Sequence, residues 1–151
     1  MTDTRDITVG IKTFMRTPQL RLFLDSLRPL EWREVIVADD QMNPDTGKQL
    51  ATRLLKKDRV DVVTGIVFTN VMLAVNPAVM ENQTFMVSAN AGPGALSGEG
   101  CNPYFYAVSW QNDGYHEAAG QFASSKGYKS VVLLAPNYPA GKDALTGFKR
   151  L

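Results

Sequence analysis

Apolar runs of strand length alternate with apolar stripes of helical spacing along most of this 151-residue chain. Strands are predicted over residues 7–14, 34–38, 60–67, 84–88, 104–109 and 129–135. Helices are predicted over residues 18–28, from 43 or 44 onward, 70–80, 113–125 and 142–151, the third kinked or shortened at Pro77. Such alternation predicts an α/β fold: a three-layer, doubly wound, mostly parallel sheet of the flavodoxin-like or Rossmann-like kind.

Charge and residue counts exclude several classes of function. The 16 basic and 15 acidic residues give a net charge of +1, so we expect no nucleic acid and no acidic membrane surface as partner. One cysteine, Cys101, excludes an internal disulfide, and one histidine, His116, excludes a His/Cys metal cluster. We expect no metal and no cofactor.

The beginning of the chain is polar and acidic, unlike a signal peptide, and no apolar run approaches the roughly 20 residues that span a bilayer. As written, the chain is expected to stay in the cytoplasm.

The most informative motif joins the third strand to the third helix. Gly65 follows an apolar strand, and Thr69 and Asn70 stand where the helix begins. In an open α/β sheet, ligands bind at this edge, and a helix N-terminus offers free N–H groups to a carboxylate. The motif therefore predicts a small-molecule site. Plain helix capping, which favours Thr and Asn, is the alternative.

The end of the fourth strand carries a second polar group at the same edge. Ser88, Ala89 and Asn90 offer hydroxyl and carbonyl oxygens that accept hydrogen bonds from an ammonium group. The alternative is turn chemistry leading into the glycine-rich loop of residues 89–103. Two neighbouring strand ends of complementary polarity favour the binding interpretation.

No set of residues predicts catalysis. Asp39 and Asp40 follow the second strand, where a strand-end cap is the alternative to a catalytic or metal-binding pair. The glycines of residues 92–100 lack the G-x-G-x-x-G spacing, and no nucleophile–base arrangement is present. We predict that the protein is not an enzyme.

Five stretches, residues 38–51, 61–74, 88–93, 109–113 and 134–144, follow one another in an order and spacing known from one family. Through them, residues 39–151 resemble the type I periplasmic solute-binding proteins of ABC importers, in the branched-chain amino-acid group. The resemblance implies two lobes that close on an amino acid or related carboxylate at a hinge. It also implies a place in the periplasm and the importer's membrane subunits as partners.

In that family, the position of Thr69 and the strand-end residues 88–92 hold the ligand's head group. Phe68 would flank the ligand's side chain, Tyr138 would face it from the second lobe, and Trp110 and Gln111 would form a hinge crossing. The predicted ligand-binding residues are Phe68, Thr69, Asn70, Ser88, Ala89, Asn90, Gly92 and Tyr138.

Residues 1–40 instead resemble the start of a family 2 glycosyltransferase, in which Thr13 and Asp39 would lie near the nucleotide base. The later Asp-x-Asp of such enzymes is absent here. Two alternatives to solute binding follow: a nucleotide-sugar-binding remnant, or an engineered chimeric scaffold without function. The two patterns meet over residues 37–41.

We expect residues 1–109 to form most of a first lobe. We expect residues 110–151 to form a hinge with either a partial second lobe or extra cover for the same sheet. The family's second lobe is built from more chain than this, so we expect weak or absent ligand affinity. Exposed lobe surface is expected to favour a homodimer.

Overall fold

The computed structural model of the protein describes residues 8–12, the single positions 22, 25, 26 and 29, and residues 33–150. In this part of the chain, parallel strands lie side by side in the order β2-β1-β3-β4-β5. They are β1 (Thr8–Lys12), β2 (Glu34–Ala38), β3 (Val62–Thr64), β4 (Phe85–Ser88) and β5 (Phe105–Ala107). The strand order reverses between β1 and β3, as in flavodoxin-like folds, and this confirms the α/β prediction.

Two helices, α1 (Pro44–Lys56) and α2 (Thr69–Glu81), pack on each other and on the sheet. Asn43 caps α1, since its Oδ1 accepts from the Asp45 and Thr46 backbone N–H groups at 2.9 and 3.0 Å. The buried core lies between these helices and the strands. Its members are Ala51, Leu54, Leu55, Val60, Val63, Ile66, Val71, Met72, Val75, Val79, Met86 and Ala91.

A second helical pair, α3 (Gly114–Ser125) and α4 (Pro139–Lys149), packs tightly through glycines. A Cβ on Gly120 would overlap the carbonyl group of Phe148, and one on Gly147 would overlap that of Asp113. Because α4 also contacts α2, this pair is held against α2.

The prediction over residues 34–38 is confirmed by β2, but three other strands are shorter than the apolar patterns that predicted them. The third was predicted over residues 60–67, but Val60 belongs to the turn after α1, with its N–H bonded to the Leu54 carbonyl at 3.1 Å. Gly65 then ends β3 with a φ of 85°, which favours glycine. The predictions over residues 84–88 and 104–109 likewise extend past β4 and β5.

Two details of the helix predictions were wrong, the shortening at Pro77 and the start of the last helix. Pro77 does not shorten α2, because its ring is exposed while the buried Val75 and Val79 hold the helix on the core. The last helix begins at Pro139 rather than residue 142, since proline is favoured in the first turn, where no N–H bond is lost.

The strand predicted over residues 129–135 does not form. Within the described residues no strand lies beside this segment, and an apolar run without a partner strand cannot satisfy its backbone groups as a sheet does. Its apolar side chains are exposed instead, Val132 by 85% and Leu134 by 94%.

The predicted helix of residues 18–28, which would form the second helical layer, lies largely outside the described residues, as do residues 7, 13 and 14 of the first predicted strand. No helix in the described part is both long and apolar enough to cross a membrane.

Candidate ligand-binding site

The start of α2 lies at the carboxyl end of β3, beside the point where the strand order reverses. Phe68 is the N-cap residue, so neither Thr69 nor Asn70 caps the helix as the alternative supposed. Among the described residues, no side chain bonds the first-turn N–H groups as a cap, and this turn holds no acidic residue. The helix end thus keeps free donors and its partial positive charge.

The three predicted site residues at this helix start differ in their surroundings. Thr69 is only 2% exposed, and its Oγ1 accepts from Asn112 Nδ2 at 3.1 Å. The Oδ1 atom of Asn70 is buried and has no hydrogen-bond partner among the described residues. Phe68 packs, half-buried, against the hydrophobic core.

The end of β4 forms a closed turn. Ser88 is 1% exposed, and its Oγ donates to the Ala91 carbonyl at 2.6 Å. The Ser88 carbonyl in turn accepts from the Val108 N–H at 2.9 Å. Ala89 and Asn90 stand exposed at the tip. Turn chemistry therefore accounts for Ser88, whereas Ala89 and Asn90 keep accessible polar atoms.

Gly92 fixes the loop after β4 against the predicted hinge. A Cβ here would overlap the Trp110 carbonyl oxygen, so only glycine allows this approach. The Gly92 carbonyl accepts from the Asn112 N–H at 2.7 Å, and the Gly92 N–H donates to Asn112 Oδ1 at 3.2 Å. Both backbone polar groups of Gly92 are thus used within the protein.

Asn112 was not among the predicted site residues, yet its side chain bonds to two of them, Thr69 and Gly92. It is 7% exposed, and its Nδ2 donates to Asp143 Oδ2 at 3.1 Å as well as to Thr69. Asp143 Oδ2 also accepts from the Gly94 N–H at 3.2 Å. These side-chain partners of Asn112 are 20 to 43 positions away, so no local pattern reveals them.

Asp113, which follows the predicted hinge residues Trp110 and Gln111, forms an ion pair with Arg150. It is 5% exposed and accepts from Arg150 Nη2 at 2.5 Å and from Gln111 Nε2 at 2.6 Å. Burial raises the pKa of this carboxyl. Hydrogen bonds from Arg150, from its own backbone and from Gln111 lower the pKa, as does the charge of Arg150, and together they outweigh the effect of burial. The net pKa lies below the ordinary value of 3.8, so Asp113 is ionised at neutral pH.

The other predicted hinge residue, Trp110, is 55% exposed and meets Tyr115 edge-on, with 6.0 Å between ring centroids.

Tyr138, predicted to face the ligand, is the half-buried N-cap residue of α4. It lines a pocket of about 200 Å³ together with Tyr115 and His116. Gly92 and Gln111 line a different pocket, of about 150 Å³. The structure therefore joins Thr69 and Gly92 through Asn112, whereas Tyr138 and Gly92 line separate pockets among those formed by the described residues.

Asp39 and Asp40 close the turn after β2. Asp39 Oδ1 accepts from the Gln41 N–H at 2.9 Å, and Asp40 Oδ1 accepts from the Met42 N–H at 2.7 Å. These bonds support the strand-end interpretation. The described residues contain no group of three or more His, Cys, Asp or Glu side chains that could hold a metal ion.

Comparison with known proteins decides the family. The family model described as periplasmic binding protein matches residues 34–151. The chain belongs to the periplasmic binding protein family. This confirms the resemblance that the sequence indicated for residues 39–151.

Individual relatives agree with the family. The Leu/Ile/Val-binding protein homolog 6 of Brucella abortus (strain 2308) is 30% identical over 117 residues, which are 77% of this chain. The chain spans 30% of the length of that curated relative. A solute-binding protein of an ABC transporter from Rhodopseudomonas palustris BisB5, in complex with 3,4-dihydroxybenzoic acid, is 26% identical with a TM-score of 0.82. That match covers 97% of this chain and 43% of the other.

A second solute-binding protein from R. palustris, in complex with 4-hydroxybenzoate, is 28% identical with a TM-score of 0.80. That match covers 96% of this chain and 43% of the other chain. Nothing in these comparisons supports the resemblance of residues 1–40 to a glycosyltransferase.

Proposed function

We propose that this periplasmic binding protein chain acts as the substrate-binding component of an ABC transporter and binds a small carboxylate without catalysing a reaction. The observation that carries the proposal is the start of α2, where uncapped N–H groups and the buried Thr69 hydroxyl meet at the carboxyl end of β3. Asn70, Ala89 and Asn90 would add polar contacts at the same edge of the sheet.

The chemistry of this edge suits a carboxylate. Free N–H groups and the positive end of the helix dipole stabilise a negative charge, and a hydroxyl hydrogen adds a further donor. The relatives are named for leucine, isoleucine and valine, or are bound to hydroxylated benzoic acids. These compounds share a carboxylate and differ in the rest of the molecule. We infer that the head group is common and that the remainder of the site selects among amino acids and aromatic acids.

Access to Thr69 needs a relative movement of two chain segments, because only 2% of this residue is exposed. Asn112, whose side chain donates to the Thr69 hydroxyl, belongs to the segment that follows the proposed hinge at Trp110 and Gln111. We propose that residues 1–109 form most of the first lobe and that residues 110–151 form the hinge and part of the second. Parting of the lobes would admit the ligand, with Phe68 flanking it and Tyr138 approaching from the second lobe.

Two partners follow from this assignment. The membrane subunits of an ABC importer would receive the ligand, which places the working protein in the periplasm. A second copy of the chain is also proposed, through the exposed apolar segment of residues 129–135.

Thermal unfolding against a panel of small molecules tests the function. The panel contains 3,4-dihydroxybenzoate, 4-hydroxybenzoate, leucine, isoleucine and valine, with the amide of each as the matched control and UDP as the probe for nucleotide-sugar binding. We expect at least one carboxylate to raise the midpoint temperature and its amide to raise it less, because ligand bound to the folded state stabilises it. A midpoint that no carboxylate shifts, or that UDP alone shifts, would overturn the proposal.

A further inference from the structure

Asn112 joins three separate parts of the chain at the carboxyl edge of the sheet. Its Nδ2 donates to Thr69 Oγ1 and to Asp143 Oδ2, both at 3.1 Å, and its Oδ1 accepts from the Gly92 N–H at 3.2 Å. The residue is 7% exposed. Both amide hydrogens and the amide oxygen of this buried side chain are therefore engaged within the protein.

The partners leave this amide a single orientation. The Gly92 N–H can only donate, and the Asp143 carboxylate can only accept. Asp143 is itself held by the Gly94 N–H at 3.2 Å. A flipped amide would place donor against donor at Gly92 and acceptor against acceptor at Asp143, at a cost that buried groups do not recover from water.

This fixed orientation determines the role of the Thr69 hydroxyl. A hydroxyl has one hydrogen to donate and two lone pairs. Asn112 takes one lone pair, and the described residues offer the Thr69 hydrogen no acceptor. The hydroxyl is thus left as a donor, and the bond it accepts strengthens it in that role through polarisation.

We propose that Asn112 is a positioning residue that sets the Thr69 hydroxyl as a hydrogen-bond donor and so selects a carboxylate head group over a neutral amide. The inference rests on the proposed function, since it concerns the same site. It adds Asn112, which lies outside the start of α2 and the strand ends. It also gives a reason why the site should prefer a carboxylate to an amide.

Calorimetric titration measures this selectivity directly. The dissociation constants of 4-hydroxybenzoate and 4-hydroxybenzamide, and of isoleucine and isoleucinamide, are compared for the wild-type protein and for Asn112→Ala. We expect the variant to bind the carboxylate about tenfold more weakly and the amide less than about threefold more weakly, because a bond to a charged group is stronger than one to a neutral group. The amide also has both a donor and an acceptor, so a freely rotating hydroxyl still satisfies it.

Asn102→Ala is the matched control. Asn102 is likewise a hydrogen-bonded asparagine, with its Nδ2 donating to Asn76 Oδ1 at 3.4 Å, but it is half-buried and lies before β5, at the opposite edge of the sheet. We expect this variant to leave both dissociation constants within about twofold of the wild type, since distant sites act independently.

A double-mutant cycle separates positioning from general damage. If Asn112 acts through Thr69, adding Asn112→Ala to Thr69→Val should cost little beyond Thr69→Val alone. Asn112→Asp keeps the size of the side chain and the acceptor for Gly92 but removes the donor, so it serves if Asn112→Ala fails to fold. The added negative charge of Asn112→Asp would weaken carboxylate binding in the Thr69→Val background as well. A loss of affinity that comes from positioning the Thr69 hydroxyl would be absent in that background.

The outcomes distinguish the two proposals. Wild-type protein that binds none of the probes overturns the proposed function and this inference with it. Wild-type protein that binds a carboxylate and loses it in Thr69→Val, but keeps its carboxylate-to-amide ratio in the Asn112 variants, overturns the inference alone. Additive losses in the cycle would likewise show that Asn112 does not act through Thr69.

Discussion

Gly92 holds the loop after β4 at a distance from Trp110 that no other residue allows, because a Cβ would overlap the Trp110 carbonyl oxygen. We expect Gly92→Ala to lower the free energy of unfolding by about 1–3 kcal/mol, the usual cost of overpacking. Urea unfolding measures the change. Gly114→Ala is the control, since a Cβ there meets nothing within 4 Å and alanine favours the helix. Equal stability of the two variants would contradict the close approach.

The ion pair of Asp113 with Arg150 predicts how stability changes in acid. The pKa of Asp113 in the folded protein lies below its ordinary value of 3.8, so the unfolded chain binds more protons in that range. The stabilisation is therefore present above pH 3.8 and is lost as the pH falls through the lower pKa of the folded state. We expect Arg150→Gln to flatten this part of the profile of unfolding free energy against pH.

Lys56→Gln is the control for that profile. It removes an exposed pair with Glu81, at 3.6 Å, and such pairs contribute little to stability. We expect it to leave the acid slope unchanged. An Arg150→Gln variant with the wild-type slope would show that Asp113 is not held ionised by this contact.

At the scale of elements, local signals were sufficient where a residue acts on its own neighbours. The start of α1 at Asn43 and Pro44 was predicted from adjacent residues and is confirmed, whereas the glycine that ends β3 lay inside the predicted strand of residues 60–67. The strand of residues 129–135 was predicted from an equally clear local pattern but needs a partner strand, and that requirement is not local. Asn112 was missed for a related reason, because its side-chain partners come from distant parts of the chain.

The unpaired segment of residues 129–135 leads to a prediction about association. An extended apolar segment with free backbone groups is a template for pairing with another chain. We expect the wild-type protein to dimerise with rising concentration, and substitution of Val132 and Leu134 together by lysine to keep it monomeric. Light scattering after size exclusion measures the mass of each species.

Met42→Lys is the matched control for the lysine substitutions, because Met42 is apolar and 44% exposed in a turn away from that segment. It should dimerise like the wild type. Wild-type protein that stays monomeric at all concentrations, or a double-lysine variant that still dimerises, would contradict association through this segment.

At the scale of the whole molecule, the parallel sheet brings the carboxyl ends of its strands to one edge, and α4 is tied to that edge through Asp143. The alternation of strands and helices in the sequence predicted the sheet and the edge, but the tie between α4 and the loop after β4 depends on the packed structure. If the proposed lobes move, the hydrogen bonds of Asp143 to Gly94 and to Asn112 would either all break or all remain. The edge is therefore where ligand binding and lobe movement would be coupled.

Titration of ¹⁵N-labelled protein with 4-hydroxybenzoate and with isoleucine, followed by amide resonances, tests the central claim most directly. The account predicts that one of these carboxylates shifts the N–H resonances of Thr69, Asn70 and Val71 at the start of α2, together with those of the loop after β4. Shifts confined to the pocket around Tyr115 and Tyr138, or no shift at millimolar ligand, would contradict a carboxylate site at this edge of the sheet.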